Sequence, residues 1–513
     1  MSTSRSVNAS KNIIVGVIAQ IVTVALAIIS RKIFVMFLSV DYLGINGLYS
    51  NILSVLALAE LGLGNVAQYF LYKPIAENNH AAVADLMHFF RKIYRVIALA
   101  ILTIGLLVIP FLDIIVKSSL MQSELVLYYI LFLVNSIISY FSADKIAFLE
   151  ASQDNRLQKY AIMVSSIVFQ LVYIAVLMLW HNYTVYVMVT ITSTIVNAVA
   201  IHLICIKKYP YVKKEKATGT TSIDTAKIAG DIKAMFVYKI GATIVNNTSN
   251  IMISVLINTY TVGLYSNYCT IVLAVQGFIT IVCKALVSGI GNMSVSKNAE
   301  QMRAMFNLML LVYNFIAVFG GISLYFLLND FIPIWLGNEY LLGTNDVFAI
   351  AFAFYITNAI SPLWMFREAN GLFKKVKYLF LFTAAFNILF SILFGKMWGL
   401  CGILLAPSLA RIITQVVYEP YVLYKNLFGA SSIGYWIKQS KYVLLAVIAM
   451  AICTLTYDLL PVSFIFICVK GILFFVITVT VFAVGSAKTN ELKDILGRIK
   501  KLIPKKSERY NER

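Results

Sequence analysis

The chain has 513 residues, is 60% hydrophobic and 13% charged, and has a mean hydropathy of +0.84. A soluble domain of this length exposes far more charge, so an aqueous globular protein is excluded. The net charge of +19 first suggests nucleic acid, but its distribution along the chain assigns it to membrane topology and anionic lipid headgroups, and no nucleic-acid partner is expected.

Apolar runs between charged or Gly/Pro breaks predict an all-α polytopic membrane protein, because a span needs about 20 mostly apolar residues. Fourteen such runs follow one another, at residues 12–37, 44–71, 87–116, 124–147, 158–180, 183–206, 234–257, 261–290, 304–328, 345–366, 372–394, 398–424, 435–457 and 461–486. Ala25-Leu26-Ala27 imitates a signal-peptidase site, but the apolar run continues to Leu38, so an uncleaved first span is expected. With the N-terminus in the cytoplasm, 35 of the 42 Lys and Arg fall on the inner side. Only Lys117 and Lys396 fall outside, and five within spans, Arg31, Lys32, Lys239, Arg411 and Lys470, are counted to neither side. This is the positive-inside pattern of a bacterial plasma-membrane protein with both termini cytoplasmic. Trp180, Trp335 and Trp398 at outer interfaces and Trp364 and Trp436 at inner ones agree with it.

An internal repeat organises these spans. Gly47-Leu48-Tyr49-Ser50-Asn51 recurs as Gly263-Leu264-Tyr265-Ser266-Asn267, 216 residues later. Phe148-x-Glu150-Ala151 with Lys159-Tyr160 recurs as Phe366-x-Glu368-Ala369 with Lys377-Tyr378, at an offset of 218. Six spans per copy is an even number, so two homologous six-helix bundles enter the membrane in the same orientation around a central cavity. The expected segments are a first bundle over 1–206, a basic cytoplasmic linker over 207–233 and a second bundle over 234–428. Two accessory helices over 429–486 and a basic amphipathic tail over 487–513 complete the chain.

Polar residues inside spans mark the expected cavity, since an ionised group in hydrocarbon costs several kcal/mol unless it faces water, a partner or a ligand. Span one places Gly16, Gln20, Thr23, Ala27 and Arg31 on one face, and span seven places Lys239, Thr243, Asn246, Asn250 and Ser254 likewise. Span twelve carries Ser408, Arg411, Gln415 and Glu419. The repeat offset sets Arg31 against Asn247 and Glu60 against Gln276, so the shared letters read as scaffold and the mismatched polar pairs as the substrate site. Arg31, Lys239, Arg411, Gln20, Asn246, Asn247, Asn250 and Gln415 are therefore the candidate binding residues, and Glu60, Asp144 and Glu419 the candidates for ion coupling. Arg31, Lys32 and Lys239 also suit snorkelling to headgroups, and Lys470 is left without an assigned role. A cavity with three cations favours an anionic substrate, and the planar guanidinium fork suits phosphate oxygens.

No Walker A loop, HExxH or GxSxG occurs, and the six cysteines form no CxxC pair. The four histidines are mutually distant, so neither a metal nor a cofactor is expected.

Arg31-Lys32-Ile33-Phe34, Tyr42-Leu43-Gly44-Ile45-Asn46-Gly47-Leu48-Tyr49, Glu60-Leu61-Gly62-Leu63-Gly64 and Leu71-Tyr72-Lys73-Pro74 resemble the Wzx-type polysaccharide flippases of the multidrug/oligosaccharidyl-lipid/polysaccharide exporter superfamily. The specific strings lie in the first 75 residues, while span count, repeat and topology extend the resemblance over the chain. It implies a transporter, not an enzyme, which moves undecaprenyl-diphosphate-linked oligosaccharide across the cytoplasmic membrane by alternating access, ahead of polymerisation. Its partners would be that lipid-linked substrate, membrane lipids, and the polymerase and glycosyltransferases of surface polysaccharide synthesis. Cationic cavity residues engage the diphosphate in that family, and Arg31 fits the pattern. Spans thirteen and fourteen match the helices that hold the lipid tail in related flippases. Spans two and eight carry no arginine, a departure from the arginine-rich relatives. The competing readings are a multidrug exporter of the same superfamily and, less favoured, a membrane polysaccharide polymerase or glycosyltransferase that uses Asp41. Short outer connections leave that enzyme little room for an acceptor domain.

Overall fold

In the computed structural model the backbone is described for residues 2–57, 63–152, 155–214, 225–296 and 299–502, and every regular element there is helical. The helices are α1 (Ser2–Phe37), α2 (Val40–Leu56), α3 (Leu63–Ala76), α4 (His80–Val108), α5 (Leu112–Ile115), α6 (Gln122–Ala151), α7 (Asn155–Trp180), α8 (Tyr183–Lys208), α9 (Tyr211–Lys214) and α10 (Thr225–Leu256). Then follow α11 (Thr259–Ser296), α12 (Ala299–Trp335), α13 (Thr344–Ala359), α14 (Ser361–Ala369), α15 (Phe373–Arg411), α16 (Val417–Leu423), α17 (Ile433–Tyr457), α18 (Phe464–Ser486) and α19 (Asn490–Leu502).

Among the described residues eleven helical stretches are long and apolar enough to cross a membrane. Large apolar side chains such as Leu455, Ile465 and Val484 stand exposed on them, as a lipid-facing surface requires and an aqueous one does not tolerate. One stretch, Lys375–Phe428, has 54 residues, about 80 Å of helix against a hydrocarbon core of about 30 Å. It is broken at Gly399, whose φ of 60° and ψ of −133° are open to glycine. Beyond that point the chain doubles back, and a Cβ on Gly402 would lie 2.0 Å from the Phe394 carbonyl oxygen. The boundary expected between 394 and 398 is therefore present as a hairpin. The span expected over 345–366 is present as the stretch Thr344–Ala369, which is broken between α13 and α14. Pro362 in the first turn of α14 has no N–H to give to the preceding turn, so α13 closes at Ala359. The span expected over 44–71 contains α2 and α3, between which residues 58–62 lie outside the described residues.

Packing gathers the chain into two compact units, Met1–Ile281 with Val376–Ala410, and Val282–Lys375 with Arg411–Arg513. This partition follows contacts, and is distinct from the partition by repeat, which concerns duplication. In the first unit α6 is central, flanked by α3, α4 and α8, while α7 joins α8 to α1 and α2 lies on α10. Asn79 and Asn182 start α4 and α8 by accepting the free N–H of Ala82 (3.0 Å) and of Thr184 (2.8 Å).

The two copies of the repeat meet in this unit. A Cβ on Gly44 would lie 2.0 Å from the carbonyl oxygen of Thr259, and one on Gly263 would lie 2.3 Å from that of Val40. The same end is tied by Thr259 N–H to the Lys117 carbonyl (2.9 Å) and by Ser254 Oγ to the Ile115 carbonyl (2.6 Å). Backbone approach this close is possible only without side chains. Gly44→Val should therefore destabilise the protein by about 1–3 kcal/mol, read as a lower melting midpoint in detergent. Gly371→Ala, where nothing lies within 4 Å of the added Cβ, controls for overpacking because its left-handed φ of 66° leaves only backbone strain.

In the second unit α12 is central, with α13, α17 and α18 around it. Lys470 of α18, whose role the sequence left open, is 1% exposed and pairs with Asp330 of α12 at 2.9 Å. Tyr457 of α17 donates to the other Asp330 oxygen at 2.6 Å, and the Lys470 ammonium lies 4.0 Å from its ring centre. Asn314 and Gln439 exchange amide hydrogen bonds of 3.3 and 3.1 Å between α12 and α17. The helices expected to be accessory are thus fastened to α12 by polar contacts inside the membrane.

The tail helix α19 is held by an ion pair between Glu491 and Lys438. Partial burial raises the Glu491 pKa, but hydrogen bonds from Lys438, from its own backbone N–H and from Thr489 outweigh that, and the carboxyl sits below its ordinary value. A folded-state pKa below the unfolded one stabilises docking above the unfolded carboxylate value of about 4.3 and ceases to do so as pH falls through the folded value. Proteolysis of the tail should therefore accelerate as the Glu491 carboxylate is protonated on acidification, and Glu491→Gln should remove that pH dependence.

Candidate functional site

Arg31 lies in the last third of α1 and reaches across to α11. Its Nη1 donates to Ser266 Oγ at 3.2 Å and its Nη2 to Thr270 Oγ1 at 2.9 Å, two hydroxyls one helical turn apart. Each hydroxyl donates its own proton to its helix: Ser266 to the Gly263 carbonyl at 2.7 Å, and Thr270 to the Ser266 carbonyl at 3.0 Å. Their lone pairs are thus aimed at the guanidinium. Tyr186 of α8 and Cys269 lie beside it. Among the described residues Arg31 has no carboxylate partner, so a membrane-embedded cation is held only by neutral groups. Such a charge lacks the anion that would offset its desolvation. Gln20, eleven residues earlier on α1, rests its amide against Gly277 of α11.

Tyr186 also borders a cavity of about 410 Å³ between α2, α6, α7 and α8. Its polar lining includes Asn46, Ser50, Ser54, Asn135, Ser136 and Ser139, with Tyr140 and Tyr173 beside them. No side chain in that lining is charged. Tyr173 donates to Thr190 at 3.2 Å, and the buried Asn135 Oδ1 has no hydrogen-bond partner among the described residues. A neutral set of hydroxyls and amides beside aromatic rings suits a hydroxyl-rich ligand, whose polar rim and apolar ring faces it can match together.

The other residues expected from the sequence are distributed as follows. Asn250 sets its amide against Gly47, and Asn247 donates to the Thr243 carbonyl of its own helix at 2.9 Å. Asn246 is exposed and Lys239 half-buried on α10. Arg411 belongs to the second unit, where its Nη1 donates to Thr357 at 2.8 Å. Gln415 is buried in the π-helical turn Ile412–Val416 that follows it. Of the residues expected to couple ions, Glu60 lies outside the described residues. Asp144 is 3% exposed and paired with Arg91 at 2.9 Å and Lys145 at 3.2 Å. Glu419 is 3% exposed and paired with Arg367. Both carboxylates are thus neutralised by buried cations. No group of His, Cys, Asp and Glu among the described residues has the arrangement to hold a metal.

Ser266, Thr270 and Tyr186 were missed by sequence reasoning. The repeat nevertheless marks one of them, because Ser266 and Ser50 are the same letter of the two copies. Ser266 holds Arg31 and Ser50 lines the polar cavity. Reading the shared letters as scaffold holds for Gly263 and for Tyr49, which is fully buried and donates to the Leu125 carbonyl at 2.9 Å. Of the two serines, Ser50 is exposed and Ser266 half-buried, and neither belongs to the buried core.

No family model matches the chain, and no curated protein matches it by sequence. Solved structures do. The chain is similar to the lipid II flippase MurJ in an inward closed conformation, with a TM-score of 0.66 at 16% identity over 92% of this chain and 99% of that one. It is similar to an inward-facing multidrug resistance MATE family transporter of the MOP superfamily, with a TM-score of 0.55 at 14% identity over 78% and 93% of the two chains. A mutant of the MATE transporter VcmN from Vibrio cholerae gives a TM-score of 0.57 at 12% identity over 83% and 100%. The chain therefore has the fold that these flippase and exporter structures share.

Proposed function

We propose that this protein is a flippase that carries undecaprenyl-diphosphate-linked oligosaccharide across the bacterial plasma membrane for capsule, exopolysaccharide or O-antigen-like synthesis, with fourteen spans and both termini cytoplasmic. The observation that carries the reading is Arg31, a cation without a carboxylate partner among the described residues, next to a neutral aromatic and hydroxyl-lined cavity that shares Tyr186 with it. A diphosphate and its attached sugar present those two chemistries in that order. The positive-inside count supports an outer location for the Gly44 and Gly263 contact, and on this reading the substrate enters from the cytoplasm.

The likeness to MATE structures supports a drug exporter as the second reading. A cation at Arg31 repels cationic drugs, and the neutral cavity supplies no carboxylate to attract them. Removal of the gene separates the two. A lipid-linked oligosaccharide should accumulate on the inner leaflet and surface polysaccharide should fall, with drug susceptibility unchanged. Normal polysaccharide together with heightened susceptibility to cationic drugs would sink the flippase reading.

A further inference from the structure

We propose that the cleft between α4, α6 and α8 binds an anionic phospholipid in the leaflet at the basic ends of these helices. The cleft encloses about 610 Å³ and lies wholly within the first unit. Arg91, Arg95, Lys145 and His202 line one part of it, and Leu99, Leu102, Ile137 and Phe141 another. Three fixed cations face a single carboxylate, Asp144, so the site stays net positive after their pairing. Asp144 takes the Nε of Arg91 at 2.9 Å, which leaves both terminal guanidinium nitrogens without a hydrogen bond among the described residues. Arg95 is exposed and has no ion pair among the described residues.

Position along the helices sets the depth. Between Arg95 and Asp113 no side chain is charged, and between Glu124 of α6 and Asp144 none is either. At 1.5 Å per residue these runs measure about 25–30 Å, the thickness of the hydrocarbon core, so the basic groups stand where phosphates do. Around them Val96, Leu99, Phe141 and Leu203 are each at least 60% exposed, a surface for acyl chains. A basic pocket opening between spans at headgroup depth, with apolar walls below, is the arrangement that holds an acidic lipid head. The cleft and the neutral cavity share Tyr140 and no other lining residue, so this inference stands apart from the transported substrate.

The test uses the full-length protein in detergent, titrated with dioleoylphosphatidylglycerol, dioleoylphosphatidylcholine or inorganic pyrophosphate, and reads bound lipid by native mass spectrometry and the melting midpoint. Phosphatidylglycerol should bind at least about tenfold more tightly than phosphatidylcholine, and each basic residue removed should weaken it about fivefold. Arg95→Gln removes an unpaired exposed cation. Arg91→Gln removes a second cation and leaves Asp144 paired with Lys145 at 3.2 Å, so no buried charge is stranded. Both should bind phosphatidylglycerol about fivefold more weakly and keep the unliganded melting midpoint. Equal binding of the two lipids, or wild-type binding in both variants, would overturn the proposal. Pyrophosphate binding as tightly as phosphatidylglycerol would also overturn it, because the site would then be one for a soluble diphosphate.

Discussion

Arg31→Ala should reduce surface polysaccharide at least about tenfold in cells with normal protein levels, and a lipid-linked intermediate should build up. The loss of two charge-assisted hydrogen bond donors, each of about 1.5–3 kcal/mol, sets that scale. Arg31→Lys keeps the charge but not the fork, and one ammonium cannot span Ser266 and Thr270 as two guanidinium nitrogens do. It should give an intermediate phenotype. Ser266→Ala with Thr270→Val leaves the cation in place and removes only what positions it, so its effect should be smaller than that of Arg31→Ala. Full polysaccharide in Arg31→Ala cells would remove the cation from the transport cycle.

The second large effect is on stability. Asp330→Leu strands the Lys470 ammonium in a site where it is 1% exposed. Breaking a buried pair from one side costs about 3–5 kcal/mol, because the remaining charge is uncompensated. Asp330→Leu with Lys470→Met removes both charges and should recover most of the loss. Melting midpoints of the wild type and three variants give the coupling directly. Additive destabilisation would mean that the pair contributes nothing as a pair. On the proposed reading, polysaccharide export should follow the stability of each variant, since Lys470 fastens α18 to α12.

The membrane architecture was largely legible in the sequence, because hydrocarbon thickness sets the length of each apolar run. The Gly399 turn was visible too, through Lys396 and Trp398 between two such runs. Partnerships were not legible. Asp144 and Glu419 look like free intramembrane carboxylates until Arg91 and Arg367, 53 and 52 residues away, are seen against them. Lys470 had no readable role because Asp330 is 140 residues distant. Arg31 was identifiable from its helical face, but Ser266 and Thr270 resemble the many hydroxyls that bond only to their own helix. Periodicity reports which side of a helix is polar. It cannot say which residue of another helix meets that side.

The hydroxyl clamp on Arg31 has a kinetic consequence. A carboxylate partner would compete with an incoming phosphate and would be left desolvated and unpaired when the arginine moved to the substrate. Ser266 and Thr270 already direct their protons to the Gly263 and Ser266 carbonyls, so departure of the guanidinium strands no charge on α11. On the proposed reading, the arginine is pre-oriented yet free to exchange, and release on the far side needs only the two neutral acceptors it started with. A carrier that must let go of its cargo in every cycle gains more from this weak, reversible hold than from a strong one.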